Sequence, residues 1–189
     1  MADRTAPTTA IWQGTGFPSL EHLRVQAGQD GIEVDGMVVA VDGGPLRLHY
    51  RIECDPDWTV RVLEVHEFHR GSDLTFRSDG AGHWTDGDGR ALDEFDGCVD
   101  VDLTATPFTN TLPIRRLDLW PGEARDLRML YVPVPELTAR ATDQRYTCLA
   151  RNKDGGLYRY ESGSFSADLP VDAEGLVIDY PGYWRRVWP

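Results

Sequence analysis

Apolar and polar residues alternate in short runs broken by glycine, proline and aspartate, the pattern of antiparallel strands joined by hairpins. Leu46, Leu48, Tyr50 and Ile52 fall two residues apart, and Asp42-Gly43-Gly44-Pro45 separates them from the run at residues 32–41. That spacing predicts a hairpin. Residues 58–69 read as a third strand. Its apolar set changes phase between Val60, Val62 and Leu63, Val65, as a β-bulge or a strand buried on both faces requires. Residues 73–78 continue the meander with Leu74 and Phe76 on one face. Asp79-Gly80-Ala81-Gly82 and Asp86-Gly87-Asp88-Gly89 then punctuate the chain ahead of residues 90–95. Residues 123–134 read as a strand that Pro133 and Pro135 confine to an end or an edge. Asn152-Lys153-Asp154-Gly155 joins residues 138–150 to 156–162, a third hairpin. Val171-Asp172-Ala173-Glu174-Gly175 joins 165–169 to 176–180, a fourth.

Helical signal is scarce. Residues 19–25 fit a helical turn or a strand equally well. Residues 109–119 are the better helix, with Thr109 or Asn110 as its cap and Pro113 in its first turn. Arg115 and Arg116 then fall toward its C-terminal end. The expected fold is mainly β: about ten antiparallel strands, strongly curved or nearly closed, with one or two short helices. There is no internal repeat or linker, so residues 1–189 are read as one domain, with 1–9 a flexible N-terminal tail.

Composition narrows the classes of function. A net charge of −12 argues against nucleic acid, whose phosphates need a basic footprint, and disfavours unaided docking on an anionic membrane. Cys54, Cys98 and Cys148 are far apart and lack a CxxC. They suggest buried small hydrophobes rather than a disulfide framework or zinc site. No apolar run spans a bilayer, and the first nine residues hold no apolar signal core. The expectation is a cytoplasmic protein that is not an integral membrane protein.

The densest candidate chemistry lies at residues 97–117. Asp100 and Asp102 stand two apart, so on a strand both carboxylates leave the same face. Such a pair can perform acid–base work or hold a hard cation. Pairing with Arg115 and Arg116 would instead pin the short helix to the sheet, with no catalysis. His66 and His69 are three apart and on opposite faces of a strand, so no metal is expected. Asp86-Gly87-Asp88-Gly89 lacks the other ligands of an EF-hand. There is no G-x-S-x-G elbow, and Gly14-x-Gly16 lacks the third glycine of a dinucleotide loop; no cofactor is expected. Tyr158, Tyr160, Tyr180, Tyr183 and Trp184 bear rings with polar tips, suited to lining a concave pocket for sugar or lipid, or to filling a β core.

The stretch Thr106-Pro107-Phe108-Thr109-Asn110-Thr111-Leu112-Pro113-Ile114-Arg115-Arg116-Leu117 resembles the bacterial "putative glycolipid-binding" family, formerly a domain of unknown function. Flanking segments match too: Trp58-Thr59-Val60-Arg61, Asp79-Gly80-Ala81-Gly82-His83-Trp84, Gln144-Arg145-Tyr146-Thr147 and Tyr158-Arg159-Tyr160. The resemblance implies a curved antiparallel sheet forming an incomplete barrel with helical elements against it. Such a fold is similar to periplasmic carriers that shelter lipoprotein acyl chains. With no secretory signal, the periplasmic shuttle role does not carry over.

The function expected is non-catalytic: holding an amphiphile, a glycolipid or lipid, in the concave face of the half-barrel. Arg61, Trp84, Asp100, Asp102, Asn110, Arg115 and Tyr146 are the candidate ligand-binding residues, near the rim or beneath it. Two alternatives stay open. One is an enzyme of unrecognised type acting on a polar small molecule through Asp100 and Asp102. The other is an interaction module that recruits a protein partner along a sheet edge.

Overall fold

The computed structural model describes residues 6–41 and 43–189. A nine-stranded antiparallel sheet has the order β13-β14-β1-β2-β3-β4-β5-β6-β7. Its strands are β1 (Thr8–Gly14), β2 (Ser19–Gly28), β3 (Gly31–Val41), β4 (Pro45–Cys54), β5 (Val60–Glu67), β6 (Ser72–Ser78), β7 (Trp84–Asp86), β13 (Asp179–Tyr180) and β14 (Trp184–Trp188). A five-stranded sheet has the order β12-β11-β10-β9-β8: β8 (Asp100–Leu103), β9 (Ala124–Val132), β10 (Arg140–Asn152), β11 (Gly155–Ser162) and β12 (Phe165–Asp172). This second sheet curls strongly into a half-barrel. Among the described residues the one α-helix, α1 (Thr111–Leu117), is entered through a 3-10 turn at Phe108–Asn110 and packs against the face of this sheet that carries Tyr146, Tyr158 and Leu169.

Two cores follow from the alternation. Val34, Val38, Leu48, Tyr50 and Ile52 of the large sheet meet Val101, Leu103, Leu130 and Val132 from the back of the half-barrel. Ile114 of α1 meets Tyr146, Cys148, Tyr158, Tyr160 and Leu169 inside the curl. The three cysteines are free and buried, as their context suggests. Among the described residues no helix is long and apolar enough to cross a membrane.

Local patterning is well reflected. The β3–β4 and β10–β11 hairpins form at the expected turns. The phase change in β5 is a bulge: Cys54 pairs Val60 while Glu53 pairs Val62, so Arg61 is the extra residue. Residues 19–25 resolve as strand. The segment 123–134 ends at Val132, just before Pro133, but β9 lies inside the sheet between β8 and β10.

Other expectations need correction. Strands number more than ten, and β8 pairs β9 in parallel, because the intervening α1 returns the chain to the same end. The hairpin expected across residues 171–175 does not extend. Its turn closes and Val171 bridges Val177, but the chain then crosses to β13 in the other sheet. Pro170, opposite Ile178, has no N–H to give back. The Ile178 carbonyl takes the Arg186 amide instead, and the Val177 carbonyl takes Trp12 Nε1 at 2.7 Å. Residues 90–95 make one bridge, Thr85 to Ala91, and a 3-10 turn at Asp93–Phe95. Of the tail expected at 1–9, residues 1–5 lie outside the described residues, and Thr8 and Thr9 already belong to β1. Asn110 does not cap α1 with its side chain, since the preceding 3-10 turn runs directly into the helix and supplies carbonyls to its first amides.

Candidate functional site

Alternation along β8 sends Val101 and Leu103 into the inter-sheet core and aims Asp100 and Asp102 to the opposite face, toward α1 and Gln144. There the two carboxylates part company. Asp100, 1% exposed, accepts a fork from Arg116: Nε to Oδ1 at 3.0 Å and Nη2 to Oδ2 at 2.5 Å. This is the helix-pinning pair the sequence suggested. Asp102 does not share it. Arg115 precedes Arg116 by one residue, about 100° around the helix, and points elsewhere, stacking over Trp58 at 5.2 Å. Asp102 accepts instead from Gln144 Nε2 at 2.6 Å, Tyr160 OH at 3.4 Å and Thr109 Oγ1 at 3.5 Å. Burial pushes its carboxyl above the usual carboxylate range, and these neutral donors only partly offset that.

Asp102 lines an open cleft of about 350 Å³. Tyr131, Arg140, Thr142, Tyr160 and Ser162 contribute from the half-barrel, Thr106 and Asn110 from the corner before α1, and Tyr180, Tyr183 and Trp184 from the crossing segment. Phe165 completes an aromatic wall. Its ring centroid lies 5.9 Å from Tyr160 and 5.8 Å from Tyr183, and Tyr180 lies 5.2 Å from Tyr183. Arg140 stacks over Tyr131 at 4.4 Å. Tyr146 sits beneath the lining, its hydroxyl donating to Asn110 Oδ1 at 2.9 Å. Behind Thr106 lies a second buried carboxyl, Glu21, which accepts from Tyr50 OH and Thr106 Oγ1. Burial drives it up to about 8 against those two bonds.

A larger, apolar trough of about 720 Å³ adjoins this cleft. Phe17, Val38, Ala40, Leu46, Val134 and Pro135 line it together with Glu67, His69 and Arg70, and it shares Thr104, Tyr183 and Trp184 with the cleft. Among the described residues no group of three or more His, Cys, Asp or Glu is arranged to hold a metal ion.

Of the sequence-derived candidates, Asp102, Asn110 and Tyr146 come together here, and Asp100 sits alongside but is occupied by Arg116. Three lie elsewhere. Arg61 is the bulge residue of β5, 4.0 Å from Asp55. Trp84 is buried in the inter-sheet core, with Nε1 donating to the Cys98 carbonyl at 2.7 Å. Arg115 lines a separate cleft with Trp58, Arg151 and Lys153. Tyr160, Tyr180, Tyr183 and Trp184, noted for their polar-tipped rings, do line the Asp102 cleft, whereas Tyr158 lines the cleft of Arg115. Tyr131, Arg140, Thr142, Gln144 and Phe165 escaped the sequence reading. A signal for three of them exists: Arg140, Thr142 and Gln144 precede Tyr146 at a period of two, on the face of β10 that Tyr146 identifies.

Two comparisons bear on this architecture. The crystal structure of a DUF1089 family protein from Pseudomonas aeruginosa is 42% identical, covering 88% of this chain and 92% of that one with a TM-score of 0.76. No curated protein matches. The sequence profile described as "Putative glycolipid-binding" matches residues 9–186, a span that holds the whole half-barrel and both cavities, and the chain belongs to that family.

Proposed function

We propose that the protein holds an amphiphile without transforming it, the apolar trough taking the tail and the Asp102 cleft taking a polar head such as a sugar. The observation that carries this reading is the adjacency of the two cavities through Thr104, Tyr183 and Trp184. An apolar trough gains about 0.8 kcal/mol for each buried CH₂, which accounts for affinity but not for selectivity. The cleft supplies what a head group needs: ring faces for stacking and convergent polar groups at Asp102, Arg140 and Thr142. The family description points the same way.

Native mass spectrometry of protein purified without detergent tests the reading. The expected result is a co-purified amphiphile that organic extraction removes, with occupancy reduced by Leu46→Arg in the trough. Protein free of amphiphile from several expression hosts, and unable to take up added lipid or glycolipid, would overturn it.

A further inference from the structure

Asp102 is the one charge in the cleft that a neutral amphiphile leaves without a counterpart. A carboxylate withdrawn from water is costly unless it meets a cation or becomes neutral. Its bonds come only from an amide and two hydroxyls, and among the described residues no arginine, lysine or histidine forms an ion pair with it. The neighbouring Asp100 has its arginine; Asp102 has none. Arg140, on the same face, is committed to the ring of Tyr131 and is exposed to solvent, where water and salt screen it. Around the same space, Tyr160, Phe165, Tyr180 and Tyr183 stand with centroids 5.2–6.4 Å apart. Aromatic faces carry negative potential and attract ammonium groups. A neutral sugar uses the rings and leaves the charge uncompensated. An anionic head group meets a like charge.

Resting on the amphiphile reading, we propose that the cleft selects a positively charged amine head group, its ammonium seated against Asp102 among Tyr160, Tyr180 and Tyr183. The amine can be carried by an amino sugar or by a simple alkyl chain, and the two sources share this chemistry.

The test is calorimetric titration of the whole protein with octylammonium, octyl 2-amino-2-deoxyglucoside, octyl glucoside and octyl sulfate. All are kept below their micelle concentrations in about 0.15 M salt. At least one amine-bearing probe should bind roughly tenfold more tightly than octyl glucoside, and octyl sulfate should bind most weakly. Asp102→Asn should abolish the preference, the amine-bearing probes then binding no more tightly than octyl glucoside. Asp30→Asn changes net charge equally at an exposed turn and should preserve the preference, excluding a general effect of the protein's charge of −12. Tyr183→Ala, at the exposed mouth, should weaken amine binding several-fold without disturbing the fold. Tighter binding of the amino glucoside than of octylammonium assigns the head group to an amino sugar; the reverse assigns it to a simple amine. Octyl glucoside binding as tightly as both amines, or Asp102→Asn retaining the preference, overturns the proposal while the amphiphile reading survives. Failure of all four probes to bind overturns the amphiphile reading itself, and this inference with it.

Discussion

The Tyr50 hydroxyl donates to Glu21 Oε1 at 2.5 Å in the interior between the two sheets, and Thr106 Oγ1 donates to the same oxygen at 2.7 Å. Glu21 Oε2 has no partner among the described residues. The arrangement suits a carboxyl that keeps its proton, since an ionised group there would leave one oxygen unsolvated.

The pH dependence of stability follows from that arrangement. Burial raises Glu21 from its ordinary 4.5 to about 8. In the unfolded chain it loses its proton above pH 4.5, whereas the folded protein retains it until about pH 8. The contribution is therefore fully present below pH 4.5, declines as pH rises through that window, and is flat above pH 8. The slope is about 1.4 kcal/mol per pH unit. Glu21→Gln removes this titration, so the variant should gain on wild type as pH rises from 5 to 8. Urea midpoints across that range measure the difference, and parallel curves for the two proteins would show that Glu21 does not hold its proton.

The Asp100–Arg116 fork gives a second expectation. Removing the cation alone leaves a buried carboxylate uncompensated, at a cost of about 3–5 kcal/mol. Arg116→Met should fall in that range by urea denaturation. The double variant Asp100→Leu, Arg116→Met should be less damaged than the single one, because it removes the stranded charge. A double variant as unstable as the sum of both singles would mean that the two side chains act independently and that their pairing does not hold the helix corner.

Gly36 gives a third. It faces Tyr50 across the β3–β4 pairing, and a Cβ there would lie 2.1 Å from the Tyr50 ring. The ring cannot easily retreat, because its hydroxyl is held by Glu21 and Thr106. Gly36→Ala should cost about 1–3 kcal/mol or more from overpacking. Gly36→Ala combined with Tyr50→Leu should recover part of the loss, and a thermal melt without that recovery would place the strain elsewhere.

How far the sequence speaks depends on the range of the contacts concerned. The hairpin joining β3 to β4 and the bulge at Arg61 were legible because alternation and turn residues are local signals. Glu21 was legible in principle: it shares the phase of Leu23 and Val25, while Leu20 faces out. The partner of Asp102 was not. Arg115 and Arg116 are near in sequence, whereas Gln144 and Tyr160 arrive from strands 42 and 58 residues away. No local pattern shows which of them reaches a given carboxylate. The crossing of residues 176–180 to the large sheet was equally hidden. It turns on the donor missing from Pro170 and on Trp12, which comes from the opposite end of the chain. The cleft is assembled where these non-local events meet, so its rings were recognisable as a type while its charge was assigned to the wrong partner.

The Tyr146–Asn110 bond offers a direct test of how firmly the cleft is built. Tyr146 is 1% exposed, and its hydroxyl donates to Asn110 Oδ1 while Asn110 Nδ2 donates to the Pro107 carbonyl. That amide joins the half-barrel wall to the corner before α1, beside the bond from Thr109 to Asp102. Tyr146→Phe leaves Asn110 Oδ1 buried without this donor, at a cost of about 1–3 kcal/mol. Asn110→Ala strands the Tyr146 hydroxyl in the same way. If the two side chains act as one unit, the double variant should lose about 1 kcal/mol less than the sum of the singles. Denaturant titrations of the four proteins supply that cycle. Strict additivity would mean that the corner is positioned by Phe108 and Leu112 packing into the core, with the polar link incidental. A clear coupling would mean that Tyr146 fixes one wall of the cleft relative to the other, and that it influences ligand binding from beneath the lining.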